Sequence, residues 1–203
     1  MKKPKLTVAR RVAGAVAACA LTAAMGAALV GCSSNAKNTE EMSVAWTSNA
    51  GEYNLDPTNN YMGWQGSYLG IYEQLFRIDG NFDPQPMLAE SAEMVNDTTW
   101  KITLRDGVTF QNGDSMDAQA VKDCLNRTME MNARAKKSLD IANMEADGNV
   151  LTVTTNSLNA AFKNELCEPV ASIIDVNCGA ADEKPVGTGP YKIDSVADNG
   201  DVE

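Results

Sequence analysis

Apolar and polar positions change period several times along the chain, and each change marks an element. In 99-TWKITLR-105, Trp100, Ile102 and Leu104 alternate with Thr99, Lys101, Thr103 and Arg105, the period of two of a strand with one buried face. Asp106-Gly107 is a hairpin signal, and Val108 and Phe110 carry the alternation onto a return strand. Asn112-Gly113 turns the chain again. Ser115 or Asp117 then caps a helix whose apolar face is Ala118, Val121, Leu125 and Met129, since residues three and four apart share one helical face. A second hairpin follows from 141–146, the turn Asp147-Gly148-Asn149 and 150-VLTVTT-155. A helix over about 160–166 stops before Pro169.

The flanks are less regular. Residues 43–47, SVAWT, suit a short strand, and 50-AGEYNLDPTNNYMGWQGS-67 is rich in Gly, Asn and aromatics and predicts a loop. From Tyr68 to Phe76, Leu69, Tyr72, Leu75 and Phe76 recur at helical spacing. A turn, 79-DGNFDPQP-86, leads into the short, mixed stretch 87-MLAESAEMV-95. Late in the chain, 187-GTGPY-191 is a turn that opens a strand at Tyr191. The pattern is mixed α+β with hairpins and no internal repeat.

The first 31 residues belong to export rather than to the fold. Lys2, Lys3, Lys5, Arg10 and Arg11 precede an Ala/Val/Leu run from about Val12 to Val30, which ends in 29-LVGC-32. This is a secretory signal peptide, 1–31. Cys32 after Leu-Val-Gly resembles the lipobox of bacterial lipoproteins, where the cysteine takes lipid and becomes the new N-terminus. A permanent span fits less well, because the run is mostly alanine and is broken by Gly14, Thr22 and Gly26. Residues 32–44 form a polar, lipidated tether. The chain carries a net charge of −10. Loss of the five leader cations makes the remainder still more acidic, which excludes nucleic acid and anionic lipid as surfaces to be recognised.

Cysteine and histidine narrow the chemistry. Cys124, Cys167 and Cys178 remain beyond the lipobox, an odd number, and Cys167 and Cys178 either bridge or stay as small buried thiols. The sequence contains no histidine. That removes Ser-His-Asp and Cys-His machinery and the commonest metal ligand. No carboxylate pair is placed for acid–base work, so no catalytic residue, resident metal site or cofactor is expected and the chain is not read as an enzyme.

The stretch 72–127 resembles the opening part of the solute-binding proteins of peptide/nickel/opine-type ABC importers (family 5 extracellular solute-binding proteins). The shared motifs occur in the family's order: Tyr72-Glu-x-Leu75, the segment Pro86-x-Leu88-Ala-Glu-Ser91, and Thr99-Trp-x-x-x-Leu-Arg-x-Gly-Val-x-Phe-x-Asn-Gly113. The Asp117-Ala118 helix start and Gly187-Thr-Gly-Pro-Tyr191 follow. The resemblance covers about 45–195. It implies a type II periplasmic-binding-protein-like fold, α+β to α/β, made here of a first lobe plus an inserted small domain, with the second lobe missing. Lobe I would take 45–71 and 185–203, and the inserted α+β domain 72–184. Gly187–Tyr191 would be the re-entry into the lobe I sheet, so the chain is expected to be a truncated record that binds ligand weakly or not at all when taken alone.

By the same resemblance the function is capture of a nickel or other metal chelate (a metallophore), or of an oligopeptide, on the outer face of the cell membrane. The ligand would be delivered to an ABC permease and its ATPase subunits. The alternative is a non-transport surface lipoprotein, adhesin or enzyme, built on the same domain. The loop after the first strand would present Tyr61, Met62 and Trp64 to the ligand, and Arg134 would hold a ligand carboxylate with its fork of donors. Some nickel receptors place an arginine just after the proline matched by Pro169, where this chain has Val170 and Ala171. Without histidine this stretch offers nickel no imidazole, and the metal's ligands would have to come from the chelator or from the missing lobe.

Overall fold

The structure, a computed structural model, describes residues 54–179, 181 and 184–196, with backbone alone for 60–62. The leader, Cys32, the tether and the expected strand over 43–47 lie outside the described residues.

The described chain enters through helix α1 (Asn60–Tyr68) and a small hairpin of β1 (Phe76–Ile78) and β2 (Pro84–Pro86). Next come β3 (Ala89–Asn96), β4 (Thr99–Leu104), α2 (Ala118–Met131), α3 (Ala133–Leu139), β5 (Ile141–Asp147) and β6 (Val150–Thr155). A one-turn helix α4 (Phe162–Glu165) and a 3-10 turn (Pro169–Ala171) close the ordered elements. The main sheet is antiparallel in the order β3-β4-β6-β5.

The alternation in β4 is realised as read: Trp100, Ile102 and Leu104 are buried and Lys101 is exposed. They share a core with Leu151 and Val153 of β6 and with Val121, Cys124 and Leu125 of α2. Asp117 is the helix cap, its carboxylate accepting Ala120 N–H at 2.9 Å. The β5–β6 hairpin also forms where expected, closing on Asp147 opposite Val150 with Gly148 at φ +55°.

Several local expectations meet a different outcome. Residues 108–110 do not return as a strand. β4 is already flanked on both edges, by β3 through the Asn96–Thr99 turn and by β6, so no ladder position is left. Phe110 is instead buried in the core beside the isolated Thr109–Ser115 bridge. The mixed stretch 87–95 supplies most of β3. Finally, the helix lies over 60–68 rather than 68–76. Its glycines, which signal a loop in sequence, are sites of close approach: a Cβ on Gly66 would overlap the Tyr72 ring. The chain then reverses at Gly70, φ +72°, so Tyr72, Leu75 and Phe76 reach the core from an extended segment.

The late segment 187–191 crosses this extended stretch. Gly189 N–H donates to Ile71 C=O at 3.1 Å and Tyr191 N–H to Gly70 C=O at 3.1 Å. A Cβ on Gly187 or Gly189 would strike the carbonyl oxygen of Ile71 or Gly70, so the glycines are there for backbone contact. Gln111 clasps the crossing. Its side-chain amide donates to Ile71 C=O at 2.8 Å, Gly189 C=O at 3.0 Å and Tyr191 C=O, and its carbonyl accepts Gly187 N–H at 3.2 Å. No strand forms over 191–195, against the expectation of one opening at Tyr191.

Candidate functional site

A cleft of about 710 Å³ opens where the segment before α1 meets the junction of α2 and α3. Asn54, Asp56 and Thr58 line it from one side, and Arg127, Asn132 and Arg134 from the other. The volume lies in the range of small-molecule sites, and the lining is mainly polar.

At its base a buried Asp56 and a half-buried Arg127 form a two-pronged ion pair. Arg127 Nη1 donates to Asp56 Oδ1 at 3.2 Å and Nη2 to Oδ2. Asp56 Oδ1 also accepts the backbone N–H and hydroxyl of Thr58 at 2.9 and 2.7 Å. Burial works to raise this carboxyl, but the Arg127 guanidinium and the Thr58 donors outweigh it and hold the group below the ordinary carboxylate range. Beside the pair, Asn132 Nδ2 donates to Thr58 C=O at 2.9 Å while its Oδ1 caps α3 by accepting Ala135 N–H at 2.9 Å.

Arg134 lines the cleft, and behind it the structure brings together two of the four residues expected to touch ligand, Arg134 and Trp64. The Arg134 guanidinium carbon lies 5.8 Å from the Trp64 ring centroid, a cation–π distance worth about 0.5–1 kcal/mol at an exposed site. Arg134 also reaches Glu168 at 3.9 Å, with both side chains well exposed. Such a contact contributes between 0 and about 1 kcal/mol. Tyr61 and Met62 fall on α1, and their side chains lie outside the described residues. Val170 and Ala171 are buried in the 3-10 turn, so that position offers the cleft no cation.

The sequence reading passed over Asp56, Thr58, Arg127 and Asn132. Asp-Pro-Thr is a recognisable turn in which an Asp side chain accepts the amide two residues on, but its pairing with Arg127, 71 residues away, leaves no local trace.

The three thiols are unbridged. Cys124 is buried between α2 and the 172–174 segment, and burial pushes its thiol up to about 11. Burial likewise raises Cys167, to about 11, and Cys178 donates to Asp175 C=O at 2.9 Å. Among the described residues no three His, Cys, Asp or Glu side chains gather as a metal site. Nor is any described helix long and apolar enough to cross a membrane.

Residues 83–203 match the family described as bacterial extracellular solute-binding proteins, family 5 Middle. The chain belongs to this family. NikA of Staphylococcus aureus, a nickel-binding protein, is 36% identical over 126 residues, which are 62% of this chain and 26% of the relative. The glutathione-binding protein GsiB of Escherichia coli K12 is 34% identical over 138 residues, with the same coverage. Among solved structures, the nickel ABC transporter from Bacillus halodurans superposes with a TM-score of 0.72 at 39% identity, over 76% of this chain and 33% of that one. The S. aureus NikA complex with Ni(L-His)2 gives 0.68 at 32% identity, over 72% and 31%. The fold is thus that of the type II periplasmic binding proteins, and the chain spans about a quarter of the length of the curated relatives it matches.

Proposed function

We propose that this chain is part of an extracytoplasmic substrate-binding lipoprotein of an ABC importer. It would be anchored by lipid on Cys32 and held off the membrane by 32–44. It captures a chelated metal, nickel foremost, or an oligopeptide, and passes it to a permease and its ATPases. It works by binding and not by turnover. Lobe I is built from 45–71 and 185–203, with 72–184 inserted, and the crossing of 187–191 over 70–72 supports that division.

The observation that carries the ligand reading is Arg134, which lines the polar cleft and lies over the neighbouring Trp64 ring, in a chain similar to nickel-binding relatives. An aromatic face beside a weakly engaged guanidinium suits a compact ligand with a carboxylate. Because the chain has no histidine, it offers the metal no imidazole, and its contribution is to the organic shell of a chelate. Tyr61 and Met62 are proposed as ligand contacts from the family resemblance alone.

The test is calorimetric titration of the complete product of the reading frame that holds these residues, leader removed. The probes are Ni²⁺ alone, Ni(L-His)2, glutathione and a tetrapeptide. Saturable binding of a chelate or peptide, absent with Ni²⁺ alone and lost in Arg134→Ala, is expected. Indifference to all four probes, or an Arg134→Ala variant that binds as well as the parent, would sink the reading.

A further inference from the structure

Trp64 and Arg134 come from segments that no ladder joins. Trp64 rides on α1, whose C-terminal end is held by Gln74, which donates to the hydroxyls of Ser67 and, at 2.8 Å, Ser172. The N-terminal end is preceded by the loop 54–59, which has no strand partner. Arg134 sits in the first turn of α3, just past Asn132, where the backbone leaves the helical region (φ −129°, ψ 104°) and breaks α2 from α3. Such a junction is free to pivot unless something outside it sets the angle.

Two contacts span the gap. Asp56, 4% exposed, takes the guanidinium of Arg127 with both oxygens. A two-pronged pair restrains orientation as well as distance. One helical turn on, Asn132 binds Thr58 C=O with its amide while its carbonyl starts α3. The same side chain therefore fixes the loop and the helix that carries Arg134.

We propose that Asp56–Arg127 and Thr58–Asn132 are positioning contacts for the candidate ligand wall: together they set the loop before α1 against the α2–α3 junction and so hold Trp64 over Arg134. This rests on the importer reading only for the purpose of the wall, not for the geometry. The positioning role requires neither Asp56 nor Arg127 to touch ligand, since it rests on the pair they form with each other.

The test reads Trp64 directly in the full chain. Its three tryptophans give three indole N–H resonances, with Trp64 assigned by Trp64→Phe and Trp100 serving as a core reference. In the parent, Arg134→Ala displaces the Trp64 resonance. In an Asp56→Asn/Arg127→Met background, which leaves no uncompensated charge, Trp64 is already displaced and Arg134→Ala moves it no further, while Trp100 stays in place. Two gentler variants guard against loss of fold. Arg127→Lys keeps the charge but loses the fork, and Asn132→Asp keeps the α3 cap but loses the donor to Thr58. Each should displace Trp64 part of the way. An Arg134→Ala shift of equal size in both backgrounds, or a Trp64 resonance unmoved by both gentler variants, overturns the proposal. If these displacements hold but neither Ni(L-His)2 nor a tetrapeptide perturbs the parent Trp64 resonance, the positioning stands and only the importer reading fails.

Discussion

The four-stranded sheet and the crossing of 70–72 with 187–191 are held together by opposite means. The sheet is local: β3–β4 and β5–β6 are hairpins, and their inward side chains, Ile102, Leu104, Leu151 and Val153, are removed from water against α2. The crossing joins residues more than a hundred positions apart through main-chain hydrogen bonds, and leaves no room for a side chain at Gly187 or Gly189. Burial in the first can be traded among apolar groups of similar volume. The second admits no Cβ at Gly187 or Gly189. A hydrophobic core tolerates approximate sequences, whereas a backbone crossing demands particular glycines and one long amide, that of Gln111.

The largest effect should come from the sheet. Ile102→Ala removes a fully buried side chain at its centre and is expected to cost about 3–4 kcal/mol, read by urea denaturation. Ile102→Val should recover most of that. If both variants cost the same, the core does not respond to volume and the contrast is lost. At the crossing, Gly187→Ala drives a methyl into the Ile71 carbonyl and should cost about 1–3 kcal/mol. Unlike the Ile102 pair, it should not be eased by choosing serine, because the clash begins at Cβ.

Gln111→Ala comes next, at about 1–2 kcal/mol, since it strips a partner from several carbonyls at once. Amide exchange should show the difference. The N–H groups of Gly189 and Tyr191 lose protection while those of β4 and β6 keep theirs. Uniform loss across both regions would mean that the crossing is not a separate unit.

Acid sharpens the comparison further. The Asp56 carboxyl is lowered in the fold, so its stabilisation is complete above the ordinary carboxylate range and is lost as pH falls through about 4 and below. The apolar sheet carries no such dependence of its own. Asp56→Asn should therefore be less stable than the parent at neutral pH and flatter in acid, as measured by thermal melts across pH 2–7 on the order of one unit apart. A parallel decline of parent and variant would assign the acid sensitivity elsewhere. The smallest effect is at the rim. Glu168→Gln should change stability by less than about 0.5 kcal/mol, because its contact with Arg134 is long and exposed.

Legibility followed the same divide. Strand β4, the face of α2 with its Asp117 cap, and the β5–β6 turn were readable because each is decided within a dozen residues by side-chain period and turn chemistry. The return strand at 108–110 was misplaced because alternation states that a segment has two faces, not that a sheet has an edge free to receive it. The helix at 60–68 was read as a loop because glycine signals both turns and tight packing, and only Tyr72 lying against Gly66 separates the two. Within the site, Trp64 and Arg134 stood out by residue type and family motif. Their meeting depends on Asp56, Thr58, Arg127 and Asn132, four ordinary polar residues in sequence.

By itself the sequence determined the family, through ordered motifs of which most fall in the match over 83–203, together with strand β4, the β5–β6 hairpin and the start of α2. It also ruled out imidazole chemistry, because residue types and short-range periods survive in one dimension. Tertiary structure alone decided which edge of β4 was taken, why the glycines of 187-GTGPY-191 lie on 70–72, and which loop is tied to which helix to form the cleft. Those are contacts between segments distant in the chain, where the energy comes from complementary shape and paired polar groups, and neither partner carries a mark of the other.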